Sequence, residues 1–410
     1  GLLATFKYAN FFYESFAEVM GIFGVEVDYE RLDILLPAGI SFYTFQTMSY
    51  TIDLYRGRCK VEKDFLKFAL FVGFFPQLVA GPIVRAVDFL PQSHNRPYLT
   101  PEQVSRAFWL LALGLIKKAF ADYLGVNMVD PFFDWKCDAT GEQCDFAYPM
   151  PGITPGSLTM LLALYGYTMQ IYLDFSAYSD LAIGSALLMG YRLPDNFNRP
   201  YKATSIQDFW RRWHLTLGSW LRDYLYYPLG GSRGGFWRTN VNLFITFILI
   251  GLWHGASWTF VVYGSLHALA MCIHRYVRVN LCKRRKPTLT PLGLAWRVAL
   301  TLHFVVFARV FFRAKSFDQA GAVFEKLAAF DFATDWEIFT TTGGRGYELS
   351  IVGLLVLCFV IHWTPRAWLQ HLRVGYERAN FAVKGALLSS VALLSMQLVD
   401  GAVPFKYFQF

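Results

Sequence analysis

Two histidines hold the chemical interest of this sequence. His254 stands in "LIGLWHGASWTF" (249–260), inside an otherwise apolar stretch, and His214 follows "DFWRRW" in "DFWRRWHLTLGSWLRDYLYYPLGG" (208–231). An ionisable group in membrane-like sequence is costly and commonly lines a functional cavity. His254 falls about 14 residues into its apolar run, roughly 20 Å along a helix at ~1.5 Å per residue. Burial disfavours the charged imidazolium and leaves a neutral ring available as a general base. The competing reading is a helix-packing histidine bonded to a nearby hydroxyl or carbonyl.

Around His214, Trp210, Trp213, Leu217, Trp220, Leu221 and Leu225 recur near one stripe at helical spacing. This predicts a helix lying along the membrane surface, with Arg211, Arg212, Arg222 and Arg233 facing headgroups or an anionic ligand. Interfacial anchoring by Trp and Arg explains the same residues without a ligand. "GGSRGG" (230–235) lacks the Gly-Lys-Ser/Thr ending of a P-loop and reads as a turn before the next helix. Asp174 and Asp180 in "YLDFSAYSDLAIG" offer a proton pair, although structural hydrogen bonding to the arginine-rich segment is the simpler expectation. His267, His274, His303 and His362 show no metal-ligand spacing; they read as packing or interfacial residues, and no metal site is expected.

The elements that must position these groups follow from composition. Of 410 residues 55% are hydrophobic and only 17% charged, against about 25% charged in soluble proteins. The chain therefore reads as an all-α polytopic integral membrane protein. Apolar runs at 32–50, 65–84, 105–125, 157–175, 241–260, 258–275, 294–312, 349–363 and 383–399 approach the roughly 20 residues that cross a bilayer. Eight to ten membrane helices are expected, some tilted or re-entrant. "FFPQLVAGPI", with Pro76, Gly81 and Pro82, is the expected re-entrant break, and 241–275 an expected hairpin.

The net charge of +8 sits in particular loops, which reads as topology and not as a nucleic-acid surface. Segments 192–238, 275–286 and 365–384 are rich in Lys and Arg and are placed in the cytoplasm, whereas the acidic segments 130–156 and 314–348 are placed outside. Cys137 and Cys144 share the first acidic segment, where a disulfide is permitted but not demanded. The other four cysteines read as free thiols. Residues 1–410 read as a single membrane domain. The chain starts at Gly1 without methionine or signal-peptide features, so preceding helices are expected to be missing.

Six stretches then resemble the membrane-bound O-acyltransferase (MBOAT) family, in particular its bacterial alginate O-acetylation branch. They are "LLPAGISFYTFQTMSYTIDLYRG" (35–57), "FFPQLVAGPIVR" (74–85), "YLDFSAYSDLAIGSALLMGYRLPDNFNRPY" (172–201), "SIQDFWRRWHLTLGSWLRDYLYYPLGGSRGG" (205–235), "GLWHGASWTFVVYGSLHA" (251–268) and the terminal "FKYFQF". The resemblance implies a ring of membrane helices around a tunnel in the bacterial inner membrane. His254 matches the family's central histidine and His214 its second one. It further implies acetyl transfer from a cytoplasmic thioester, acetyl-CoA, through a periplasmic O-acetyltransferase protein to an exopolysaccharide such as alginate, with no bound cofactor. Arg211, Arg212, Arg222, Trp213 and Trp253 are the donor-binding candidates under this reading. A proton-coupled transporter or flippase of a polysaccharide precursor, with His254 and Asp174 relaying protons, is the alternative, and a non-catalytic scaffold for export is a third.

Overall fold

The protein is described from a computed structural model, which covers residues 2–33, 37, 39–95, 98–133, 135–137, 144–146, 156–283, 290–333, 335 and 349–398. The helices in chain order are α1 (Leu2–Ile22), α2 (Ile40–Tyr55), α3 (Phe65–Gly73), α4 (Phe75–Leu78), α5 (Ala86–Ser93), α6 (Pro101–Leu124), α7 (Asp130–Phe133), α8 (Ser157–Leu188), α9 (Ile206–Trp210), α10 (Leu215–Leu221), α11 (Gly235–His254), α12 (Trp258–Tyr276), α13 (Pro291–Arg313), α14 (Phe317–Ala328), α15 (Leu349–Trp363), α16 (Arg366–Arg378) and α17 (Phe381–Leu398). A short antiparallel ribbon of β1 (Trp135–Cys137) and β2 (Cys144–Phe146) interrupts the helices and sets Cys137 opposite Cys144. The side chains of that cysteine pair, and so the disulfide question, lie outside the described residues, as does the terminal "FKYFQF".

Local chemistry sets many of the boundaries. Thr100 and Gln103 form a reciprocal capping box ahead of α6, with Pro101 at its first position. Side chains of Asp64, Ser205, Ser257, Thr290 and Ser316 cap α3, α9, α12, α13 and α14. The stretch at 65–84 is broken as its prolines predict: α3 ends at Gly73, α4 is four residues long, and residues 79–85 are non-helical.

Among the described residues three helices are long and apolar enough to cross a membrane by length and composition alone: Gly235–His254, Pro291–Arg313 and Phe381–Leu398. A fourth span results if the pair Ser350–Trp363 and Arg366–Arg378, bent by 92°, counts as one. Helices α6 and α8 are longer, at 24 and 32 residues, but carry charge. That charge is neutralised internally, because Lys117 Nζ lies 2.5 Å from Asp180 and Lys118 Nζ 3.0 Å from Asp174 and 2.5 Å from Asp122. This corrects the expectation that Asp174 and Asp180 bond the arginine-rich segment. Helix α8 does not end near residue 175; it continues to Leu188 and carries both carboxylates to the lysines of α6.

The segment 208–231 is likewise not one surface helix. It breaks at residues 211–214 between α9 and α10, and a π turn (Arg222–Tyr226) follows. The apolar stripe is nevertheless the buried side, since Trp213, Leu217, Trp220 and Leu221 all belong to the core. "GGSRGG" forms the turn into α11, with Gly230 and Gly231 at positive φ (106° and 56°), where a side chain would be strained.

Candidate functional site

His254 is the last residue of α11, at the point where the chain turns through Gly255–Ser257 into α12. The α11–α12 hairpin is tight because glycines face backbone on both sides. A Cβ on Gly251 would lie 2.1 Å from the carbonyl oxygen of Phe260, and one on Gly264 would lie 2.4 Å from that of Phe247. The His254 ring is buried among Trp253 (5.0 Å between centroids), Phe312 (5.1 Å) and Tyr263 (6.4 Å). The exposed carbonyls at the end of α11 meet a cation: Lys7 Nζ of α1 donates to the oxygens of Trp253 and, at 3.4 Å, of His254, which suits the negative end of a helix dipole.

His214 occupies the left-handed region, φ 45° and ψ 58°, a costly conformation for a residue with a side chain. Residues 196–198 hold it there. Leu215 N donates to Asn196 O at 2.9 Å and Asn198 N to Arg212 O at 2.8 Å, so the two segments zip together on either side of the turn. The buried Asn196 amide oxygen accepts from Thr216 Oγ1 (2.9 Å), Thr216 N (3.3 Å) and His214 Nδ1 (3.1 Å). An amide oxygen only accepts, so Nδ1 carries the proton and Nε2 of the neutral ring bears the lone pair. Thr216 Oγ1 in turn accepts from Ile83 N at 3.0 Å, which ties the 74–85 stretch to this histidine.

Trp253 joins the two histidines. Its ring lies 5.9 Å from His214 and 5.0 Å from His254, with Phe45 stacked on it at 5.7 Å. Its indole N–H is buried and has no hydrogen-bond partner among the described residues. The aromatic wall continues from Tyr263 to a third histidine, His267, at 4.6 Å, whose Nδ1 accepts from Trp210 Nε1 at 3.2 Å. Arg309 of α13 is also completely buried here. Its guanidinium lies 4.6 Å from the Trp213 ring and donates to Tyr201 Oη (2.6 Å) and Thr168 O (3.0 Å). Among the described residues no carboxylate pairs with it.

A cavity of about 820 Å³ lies beside this wall, within the usual range for small-molecule sites. Trp210, Leu215, Phe247 and Ile250 are among its lining residues; Leu215 follows His214 in the chain and Ile250 lies one turn before His254, while His214, Trp253 and His254 themselves sit behind this lining. Arg211, Arg222, Arg275 and Arg278 line it as well, with no Asp or Glu among the lining residues.

The residues singled out in the sequence thus separate into three groups. His214, His254 and Trp253 come together. Arg211 and Arg222 reach the cavity, with Arg222 also bound to Asp223 through two nitrogens, at 2.8 and 3.2 Å. Arg212 turns to Asp208 (2.9 Å) and does not line the cavity, while Trp213 lies beneath Arg309. Sequence reasoning passed over Arg309, although it interrupts the apolar run 294–312 as His254 interrupts its own. Lys7, Asn196 and the cavity arginines 275 and 278 lay outside any pattern that pointed to this site.

A sequence profile described as MBOAT, membrane-bound O-acyltransferase family, matches residues 61–314, which contain both histidines, Trp253 and the basic cavity. The chain belongs to the membrane-bound O-acyltransferase family. It is 39% identical over 360 residues to the probable alginate O-acetylase AlgI of Pseudomonas aeruginosa, covering 88% of this chain and 64% of that protein. It is 36% identical over 345 residues to the peptidoglycan O-acetyltransferase of Helicobacter pylori (78% and 61% covered). Against the teichoic acid D-alanyltransferase of Bacillus subtilis it is 30% identical over 296 residues (68% and 69%). This MBOAT chain therefore spans somewhat under two thirds of the length of the first two of these relatives, and by its family and its apolar helices it is a multi-pass membrane protein.

Proposed function

We propose that this MBOAT protein is an O-acyltransferase of the bacterial inner membrane that draws an acetyl group from cytoplasmic acetyl-CoA and passes it outward for O-acetylation of an exopolysaccharide such as alginate, through a periplasmic transferase. The observation that carries this reading is the pair of buried histidines on either side of Trp253, next to a cavity whose charged lining is entirely basic. The names of the relatives support acyl transfer to a polymer hydroxyl and to alginate in particular.

In this mechanism Arg211, Arg275 and Arg278 hold the phosphates of the donor and its thioester extends inward past Leu215. His254 takes the proton of an acceptor hydroxyl as its oxygen attacks the thioester carbonyl. The new C–O bond forms, the C–S bond breaks, and the thiolate leaves with the proton returned by the imidazolium. The Trp253 N–H supplies a hydrogen bond to the carbonyl oxygen as negative charge develops there. His214, its proton fixed on Nδ1 by Asn196, presents Nε2 to position the donor or relay the proton. The transporter alternative gains nothing from Asp174, which is committed to Lys118.

The test is release of free CoA thiol from acetyl-CoA by the full-length protein in nanodiscs, with the periplasmic partner added. His254→Ala is expected to lose roughly 10²–10⁴-fold while remaining folded. Undiminished release by that variant, or none from folded wild type with its partner, would overturn the reading.

A further inference from the structure

A second cavity lies away from His214 and His254, on the side of the molecule formed by α13, α15 and α8. It is a groove of about 610 Å³ lined by Leu294, Val298, Leu302, Phe359 and Trp363, with Lys202 at one end. Its two polar ring groups satisfy each other: His303 Nδ1 donates to Ala299 O at 2.7 Å, so Nε2 accepts from Tyr165 Oη at 2.8 Å. The groove therefore offers carbon along its length and charge only at its end. It opens outward, since Leu294 is 45% exposed and Trp363 47%. In a membrane protein such a surface faces lipid.

The charged end is denser than Lys202 alone. Lys202 Nζ donates to Trp363 O at 2.9 Å, Arg199 donates to Thr364 O, and Arg366 donates to the side chain of Asn198. Lys202 and Arg199 thus gather on the carbonyl end of α15, and Arg366 starts α16 beside them. Among the described residues none of the three has a carboxylate within ion-pair distance. The nearby Arg212 is already paired with Asp208. Burial first, and then Arg199, Arg212 and Arg366, push the Lys202 ammonium below its ordinary pKa, as expected where like charges crowd without a counterion. Each cation uses one or two donors on the protein, which leaves others for an anion. Trp363 and the exposed Trp368 stand at the same end, the level at which tryptophans mark the headgroup region.

We propose that this groove binds one anionic phospholipid, its acyl chain along α13 and α15 and its phosphate against Lys202, Arg199 and Arg366. The lipid supplies the counter-charge that the protein lacks there and covers apolar surface continuous with the bilayer. A zwitterionic lipid fills the groove but leaves the three cations uncompensated. The preference for an anionic headgroup is worth roughly fivefold per cation near the membrane surface.

The measurement is native mass spectrometry of the detergent-purified full chain, titrated with phosphatidylglycerol or with phosphatidylcholine of the same acyl chains. Wild type is expected to retain one phosphatidylglycerol at least tenfold more tightly than phosphatidylcholine. Lys202→Gln with Arg366→Gln should bring the two lipids close to parity. Ala295→Trp, which fills the groove and leaves every charge in place, should reduce retention of both and keeps the proposal testable if the charge variant does not fold. Equal retention of the two lipids by wild type overturns the proposal. So does unchanged selectivity in the charge variant, unchanged retention in Ala295→Trp, or displacement of the lipid by soluble glycerol phosphate, which would reduce the site to a phosphate site.

Discussion

His214 is held in a backbone conformation that costs a side-chain-bearing residue about 1–2 kcal/mol. Asn196 offsets it with backbone and side-chain hydrogen bonds to residues 214–216, and Asn198 bonds the other side of the turn at Arg212. Strain supported in this way by its surroundings is typical of functional positions. Trp253 is the residue with the most specific expectation. Its N–H is buried between the two histidines with no acceptor among the described residues, a cost that is recovered if the reacting carbonyl accepts from it. Trp253→Phe keeps an aromatic ring against Phe45 but removes the N–H together with the five-membered part of the indole. CoA release by this variant should fall about 10²-fold in a protein that remains folded, with a melting temperature lowered by the void left behind. A near-normal rate would remove the indole from the mechanism. His254 and Trp253 were visible in the sequence because polar groups in an apolar run draw attention. Asn196 was not, since nothing in "RLPDNFNRPY" distinguishes a clamp from a turn residue.

Helix α11 delivers His254 only because α12 packs closely against it. The hairpin was expected from the two overlapping apolar runs, and the glycines explain its closeness. Gly264→Val would force a methyl-bearing carbon against the Phe247 carbonyl, where even a Cβ alone lies at 2.4 Å. The two helices would have to separate, at a cost of about 1–3 kcal/mol. Thermal unfolding should show a lowered melting temperature and a loss of CoA release together, whereas Gly385→Val on α17, which has nothing within 4 Å, should show neither. A Gly264→Val protein as stable as wild type would mean that the hairpin does not depend on this contact. The arginine-rich stretch shows the opposite relation between pattern and element. Its stripe marks the buried side, but the helix the stripe suggested is cut at residues 211–214, because residues 196–198, in the segment just upstream, bond the turn.

Across the molecule, charge is settled at two depths. Inside, Lys117 and Lys118 meet Asp180 and Asp174, which lets α6 and α8 remain in the core despite failing a purely apolar criterion. At the rim, Asp223 binds Arg85 (2.8 Å) and Arg222 (2.8 Å), while its carbonyl accepts from Arg56 (3.2 Å), fastening three parts of the chain together. Burial raises the Asp223 carboxyl, but the hydrogen bonds from Arg222 and Arg85 outweigh it, and the net pKa lies below the ordinary value. Its stabilisation is therefore present above the unfolded carboxylate pKa of about 4 and is lost as pH falls through the lower folded value. Asp223→Asn should be less stable than wild type at pH 7 by about 1 kcal/mol, and the gap should close as the pH drops below about 4. A gap that persists at low pH would mean that packing, not charge, is what the substitution removes.

Composition and the length of apolar runs suffice to give a polytopic helical membrane protein, because burying that much carbon in a chain with so little charge leaves few other solutions. Motif order suffices to give the family and singles out His214 and His254 as the proposed site residues. The partners of Asp174 and Asp180, the cation from α1 at the end of α11 and the burial of Arg309 over Trp213 depend on residues far apart in the chain, and the break before His214 depends on a neighbouring segment folding back onto it. Spacing along one segment reports which side of a helix is buried, but the identity of what lies against that side is fixed only when distant segments pack and every buried polar group finds, or fails to find, its partner.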